Sequence, residues 1–286
     1  MFDSLNSKLY IRNKANYTAQ FLTNVKPYRK GGLIGKLDNY SVLANDYFIS
    51  LIGSISEFWN SDNTYCIGAK ETKKAIEKLS DYLHLPIHKA KVTRLDISNS
   101  FEVLNDPKMY FPLFGKKGKQ YPQDVKNGIN YGTKYGNYLT TFYKKNAILF
   151  RYELKVKKPA SALKIQKPRL EQLTEPTIYN LLLHRWKQHY YRIQKIKEMA
   201  TNFEISGTKD IDKLRAAMVK EVAPEIDAII LAALAQKKAA GKIKCDRQYR
   251  RCIEYLNEKE TKFSINNPLI KKLNQKVNEV HESYLI

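Results

Sequence analysis

Cysteine is scarce in this sequence: Cys66, Cys245 and Cys252 are the only three in 286 residues, and no two form a CxxC pair. That excludes a disulfide-stapled scaffold and a zinc-ribbon cluster, and it points to a reducing compartment. Cys245 and Cys252 fall two turns apart on an expected helix, where packing is the simplest use for them. Long hydrophobic runs are also missing. No stretch approaches the roughly 20 apolar residues of a membrane span, and the opening MFDSLNSKLYIRNK lacks a signal-like hydrophobic segment. The expectation is a soluble, intracellular protein with no membrane partner. No repeat of roughly 20 to 50 residues is present, which sets aside solenoids and propellers.

Acidic residues are few as well. Asp and Glu number 28 against 50 Lys and Arg, a net charge of +22, with a pI near 9.7. A globular chain with this excess repels itself unless polyanions are near, so nucleic acid or an acidic membrane leads the candidate partners and ordinary metabolic roles recede. Tyrosine, by contrast, is abundant. Its 20 copies suit stacking on unpaired bases, although core packing accounts for most of them.

The chain changes character near Pro159. Before it, short segments rich in Tyr, Ile and Thr alternate with Gly, Asn and Asp; after it, spacing becomes helical. Strands are expected at 8–12, 46–52, 91–101, 129–131, 137–145 and 148–157, and a helix at 70–83 stopped by Pro86. One long helix is expected over 175–203, followed by helices at 209–222, 224–239, 245–259 and 268–284. The expected fold class is α+β: an antiparallel sheet backed by helices over residues 1–158, then a helical C-terminal region over 159–286 that packs on the sheet and contacts DNA. The densest basic run, which includes Arg247, Arg250 and Arg251, suits either a solvated helix face or a phosphate-tracking surface.

Three strands alternate so as to aim charge in one direction. In VTRLDISNSF (92–101) Leu95 and Ile97 point one way, and Arg94, Asp96 and Ser98 the other. In FRYELKVK (150–157) Arg151, Glu153 and Lys155 oppose Phe150, Tyr152, Leu154 and Val156. In LTTFYKK (139–145) Thr141, Tyr143 and Lys145 oppose Thr140, Phe142 and Lys144, and the short spacing to Phe150 suggests a hairpin. If the strands are neighbours, Arg94, Asp96, Tyr143, Lys145, Arg151 and Glu153 gather on one face. Two carboxylates suit Mg²⁺ or Mn²⁺, cations offset phosphate charge, and a phenol can attack phosphorus. A solvated face with ordinary cross-strand ion pairs accounts for the same alternation.

The ordered triple TRLDIS (93–98), TFYKK (141–145) and FRYELK (150–155) resembles rolling-circle replication initiators of the phage and plasmid gene-two/gene-ten family. It is also similar to the staphylococcal plasmid initiators, in which an Arg-hydrophobe-Asp strand, a Tyr-x-Lys strand and an Arg-x-Glu strand follow in that order. LIGSISEFWNSDN (51–63) resembles the family's Gly-Ser-hydrophobe segment before a Lys- or Asn-containing turn, so the resemblance spans about residues 1–195. It implies a nicking tyrosine at Tyr143, Mg²⁺ or Mn²⁺ ligands at Asp96 and Glu153, phosphate held by Arg94, Lys145 and Arg151, and further DNA contacts from Lys144 and Lys155. Ser98 and Asn99 stand where some relatives carry another acidic residue. His84 and His88 flank Leu85-Pro86-Ile87 and do not form the His-hydrophobe-His strand of better-known nickases. Tyr190 and Tyr191 are adjacent, so about 100° apart on a helix, and cannot both face one phosphate.

The implied activity is metal-dependent nicking and rejoining of origin DNA in the cytoplasm of a bacterial host. Its partners would be single-stranded and duplex origin DNA and the host helicase and polymerase. A non-catalytic nucleic-acid-binding protein and a conjugative relaxase with the same chemistry remain alternatives.

Overall fold

The computed structural model describes residues 1–29, 31–133, 135–195 and 268–286. Arg247, Arg250, Arg251, Cys245 and Cys252, and the helices expected between 209 and 259, lie outside them. The described elements are β1 (Phe2–Tyr10), α1 (Ala15–Ala19), β2 (Thr23–Tyr28), β3 (Gly32–Leu37), β4 (Tyr40–Ala44), β5 (Phe48–Ser54), α2 (Ile55–Asn60), α3 (Ala69–Leu83), β6 (Lys91–Glu102), β7 (Phe114–Lys117), β8 (Gln123–Val125), β9 (Gly128–Gly132), β10 (Tyr138–Lys144), β11 (Leu149–Val156), α4 (Pro159–Leu163), α5 (Pro176–Tyr191), β12 (Ile193–Lys195) and α6 (Pro268–Tyr284). None of the described helices is long and apolar enough to cross a membrane.

The fold is α+β, built on a ten-stranded antiparallel sheet in the order β2-β3-β4-β5-β1-β6-β11-β10-β9-β8. One compact unit takes in Met1–Phe111, Lys116–Ile193 and Leu273–Ile286, which groups α4, α5 and most of α6 with the sheet. A second takes in Pro112–Gly115 and Gln194–Lys272.

Strand alternation determines which sheet face is covered. Phe101, Phe142, Phe150, Tyr152 and Leu154 are buried on the helix side, where α5 supplies Trp186. Tyr152 stacks on Trp186 and on Phe142, each at 4.8 Å between ring centroids, and its hydroxyl donates to the Trp186 carbonyl at 2.7 Å. Each such fully buried ring contributes about 1.5–3 kcal/mol of transfer free energy, so this stack fixes the three middle strands against α5.

Helix α3 follows its sequence pattern closely. Ala75, Ile76, Leu79 and Leu83 form the buried stripe, and His84 ends the helix with a left-handed φ of 49°. Helix α5 departs from expectation: it stops at Tyr191, and Ile193–Lys195 is extended rather than part of a helix reaching 203. Helix α6 buries Leu273 and Val277, with Tyr190 donating to Asn274 Oδ1 at 2.8 Å and the facing nitrogens of His184 and His281 2.9 Å apart.

All the expected strands occur, and further strands lengthen the sheet at both edges. β2, β3 and β4 extend it beyond β5 as a succession of hairpins, and β8 pairs with β9 at the opposite edge.

Candidate active site on the β6-β11-β10 face

Register brings the charged positions together. Tyr143 pairs with Arg151 and Thr141 with Glu153 across β10 and β11; Arg151, Glu153 and Lys155 then pair with Ser100, Ser98 and Asp96 across β11 and β6. Paired residues share a sheet face, so Asp96, Glu153, Arg151, Thr141 and Tyr143 stand on the face opposite the aromatic stack. The hairpin between β10 and β11 is closed by Asn146, whose side-chain oxygen accepts from the backbone N–H of Ile148 and Leu149.

Asp96 and Glu153 are both buried. Each carries one cation: Arg94 donates through Nε to Asp96 Oδ1 at 2.9 Å with a second contact to Oδ2, and Lys155 Nζ lies 3.2 Å from Glu153 Oε1. The Arg94 and Lys155 side chains keep 40% and 28% of their surface exposed, so each can swing from its carboxylate to a phosphate. Burial, and then the charge of Asp96, push the Glu153 carboxyl above its ordinary value, and a hydrogen bond between the two acids acts in the same direction. Like charges held this close favour a shared proton or a bound cation.

Arg151 differs from its expected role. Its side chain is fully buried, donating to the carbonyls of Asn63 and Thr64, to Ser100 Oγ at 3.3 Å, Ser98 Oγ at 2.9 Å and Cys66 Sγ at 3.3 Å, and pairing with Asp3 at 3.1 Å. A guanidinium enclosed in this way organises the site instead of meeting a phosphate. The loop that encloses it has a local cause. Ser54 caps α2 by accepting from the Glu57 N–H at 3.2 Å, Ser61 ends the helix in the left-handed region at φ 65°, and Asp62 accepts from the Thr64 N–H at 2.7 Å. That turn aims the Asn63 and Thr64 carbonyls at Arg151.

Tyr143 is half-buried, and its hydroxyl has no hydrogen-bond partner among the described residues. Burial and the Glu153 charge raise its pKa above the ordinary phenol value. Lys145, two residues on, donates to Asn63 Oδ1, while burial and the nearby Arg151 push its ammonium below the usual lysine value. Lys144 is not brought to the site; it points from the other face and pairs with Asp106 at 2.6 Å. Tyr190 is fully buried, whereas Tyr191 is 44% exposed.

The donor set fits a Mg²⁺ or Mn²⁺ ion, which needs one or two carboxylates and keeps several waters. Asp96 and Glu153 supply the carboxylates. Thr141 Oγ1, opposite Glu153, is buried with no hydrogen-bond partner among the described residues. No cluster of three or more His, Cys, Asp and Glu side chains placed to hold a metal occurs among the described residues, so the set amounts to a carboxylate pair.

Three residues of the site carry little or no signal in the sequence. Asp3 arrives from β1, ahead of the expected strand start, and no local pattern marks it. Asn63 closes the 51–63 segment, where nothing assigns it a role of its own. Gly128 pairs directly with Tyr143. A Cβ there would overlap the Phe142 carbonyl oxygen and lie 2.7 Å from Tyr143 Cβ, so β10 can approach β9 this closely only at a glycine. Gly128→Ala should displace Tyr143; if Tyr143 attacks DNA, that should slow the attack about 100-fold, the cost of a misplacement near 1 Å, with DNA affinity kept. Single-turnover assays beside gel-shift titrations check this.

A scan against protein-family models finds no match to this chain, and a search of the curated proteins finds none either.

Proposed function

We propose that this chain is a nickase-like replication initiator, which cuts and rejoins origin DNA by tyrosine transesterification to start rolling-circle replication of a phage or plasmid. The observation that supports this reading is that a tyrosine, a lysine of depressed pKa and two converging carboxylates share one face of three paired strands. The resemblance of those strands to the rolling-circle initiators, in matching order, and the charge of +22 agree with it.

Tyr143 Oη attacks phosphorus and forms a 5′-phosphotyrosyl bond as the bond from phosphorus to the 3′ oxygen breaks. The phenol proton passes to Lys145 in its neutral form, which burial and the nearby Arg151 favour. The leaving 3′ oxygen takes a proton from solvent and becomes the end that a host polymerase extends. Arg94 and Lys155, released from their carboxylates, hold the phosphate. Arg151 keeps the loop at 61–66 in place. Asp96 and Glu153 would hold a Mg²⁺ or Mn²⁺ ion, which neutralises phosphate charge when bound. In rejoining, a 3′ hydroxyl attacks the phosphotyrosine and Lys145 returns its proton to Tyr143. The cut strand must be single, because a duplex keeps its backbone away from a half-buried tyrosine; duplex origin DNA and the host helicase are further partners, in the bacterial cytoplasm.

The test is incubation of the protein with Mn²⁺ and a 3′-labelled pool of single-stranded DNA of randomised sequence, followed by a denaturing gel. A labelled band at the protein's position is expected from wild type and from the Tyr190→Phe and Tyr191→Phe variants. Retention that denaturation removes would leave only a binding protein.

A further inference from the structure

The part of the sheet around β1 to β5 also has an open face. Along β1 the half-buried and exposed side chains include Asn6, Lys8 and Tyr10; along β5 they include Phe48 and Ile52, the latter 51% exposed. One row of paired residues runs from Lys36 on β3 through Ser41 on β4, Ile52 on β5 and Asn6 on β1 to Arg94 on β6. Its last member holds Asp96. At about 4.8 Å between strands, Ile52 lies roughly 10 Å from the Arg94 strand, a distance of one or two nucleotides. Two rows away on the same face, beyond the Lys8–Ser50 pair, Tyr10 pairs with Phe48, ring centroids 6.4 Å apart, and Lys8 Nζ lies 3.3 Å from the Phe48 centroid.

The five strands β1–β5 contain one acidic residue, Asp3, and it is buried against Arg151. The strands therefore present aromatic and aliphatic surface between lysines with no carboxylate among the open-face positions; the exposed Asp38 and Asp46 lie in the turns after β3 and before β5. Charge complementarity calls for a polyanion. Among polyanions, a duplex presents phosphates and has no use for exposed rings, whereas a single strand presents base faces that stack on aromatic side chains while lysines track its backbone.

We infer that the open face of β1–β5 is a single-stranded DNA platform: Phe48, Tyr10 and Ile52 receive bases, Lys8 and Lys36 receive phosphates, and the Lys36–Arg94 row leads the strand to the candidate site. The inference rests on the nicking reading only for where the strand leads; binding by the platform stands apart from it. Lys8 occupies the Phe48 ring face and exchanges that contact for a phosphate when a base takes the ring.

The test measures fluorescence anisotropy of a labelled oligothymidylate with Tyr143→Phe protein, so that binding is read without cutting. Tyr10→Ser combined with Phe48→Ser should weaken affinity at least about tenfold, because each stacked base contributes a factor of about five or more. Ile52→Glu, an exposed position whose change leaves the fold intact, should weaken it similarly by setting a carboxylate beside the strand. Duplex of the same length should lose little. Unchanged oligothymidylate affinity in both variants would overturn the platform, as would an equal loss on duplex or a surface that captures an acidic protein in preference to DNA. If wild type forms no covalent adduct while the platform variants lose affinity, the nicking reading falls and the platform stands. If wild type forms the adduct while the platform variants keep full affinity, the platform falls and the nicking reading stands.

Discussion

Arg151→Met should cost about 3–5 kcal/mol of stability, the range for removing one partner of a buried ion pair. The guanidinium is fully buried and is the partner of Asp3, two loop carbonyls and the hydroxyls of Ser98 and Ser100. Methionine leaves the buried Asp3 carboxylate uncompensated and the 61–66 loop without its anchor. Adding Asp3→Asn to Arg151→Met should recover part of the loss, because the stranded charge is then gone. Urea denaturation of wild type and the single and double variants reads both effects. An arginine that held DNA phosphate would behave oppositely: the variant would stay as stable as wild type and lose affinity for DNA.

Asp96→Asn and Glu153→Gln should each abolish metal-dependent cleavage without destabilising the metal-free protein. The difference from Arg151 lies in exposure. Arg94 and Lys155 reach solvent, so losing a carboxylate partner strands neither cation, and neutralising either buried acid removes its repulsion with the other. The sign for Glu153 follows from its raised pKa. A carboxyl lifted in the folded state stabilises fully below the unfolded value, near 4.5, and that contribution is lost as pH rises through the lifted folded value. In chelator at neutral pH, Glu153→Gln should therefore melt above wild type, with the gap closing as pH falls through that window. Mn²⁺ should raise the melting temperature of wild type alone. Equal Mn²⁺ stabilisation of all three proteins would remove Asp96 and Glu153 as ligands.

Much of the site's geometry is legible in the alternation because the three strands carrying it are neighbours in a single antiparallel run. Asp96, Glu153 and Tyr143 can be assigned to one face from periodicity alone, and α3 and α6 follow from their apolar stripes. Alternation does not distinguish a cation aimed at solvent from one enclosed by a loop, and the phosphate-holding role expected of Arg151 fails for that reason. The enclosing contacts come from Asp3 and Asn63, nearly 150 and 90 positions away in sequence, where no local pattern reports them. Strands β2 to β4 escape a period-two pattern because glycines and turn residues divide 23–44 into short pieces, although Tyr40, Val42 and Ala44 do alternate into the core. The end of α5 has no local sign either. Tyr191-Arg192-Ile193 contains neither glycine nor proline, so helical spacing runs on in the sequence where the backbone becomes extended.

The most direct measurement is on the covalent product itself. Wild-type protein trapped with the randomised single strands and Mn²⁺, digested with nuclease and then protease, should yield by mass spectrometry a nucleotide phosphate on the peptide that contains Tyr143, and Tyr143→Phe protein should yield none. A phosphate carried by Tyr190, Tyr191 or a serine, or an adduct that persists in Tyr143→Phe protein, would contradict the assignment of Tyr143 as the nucleophile.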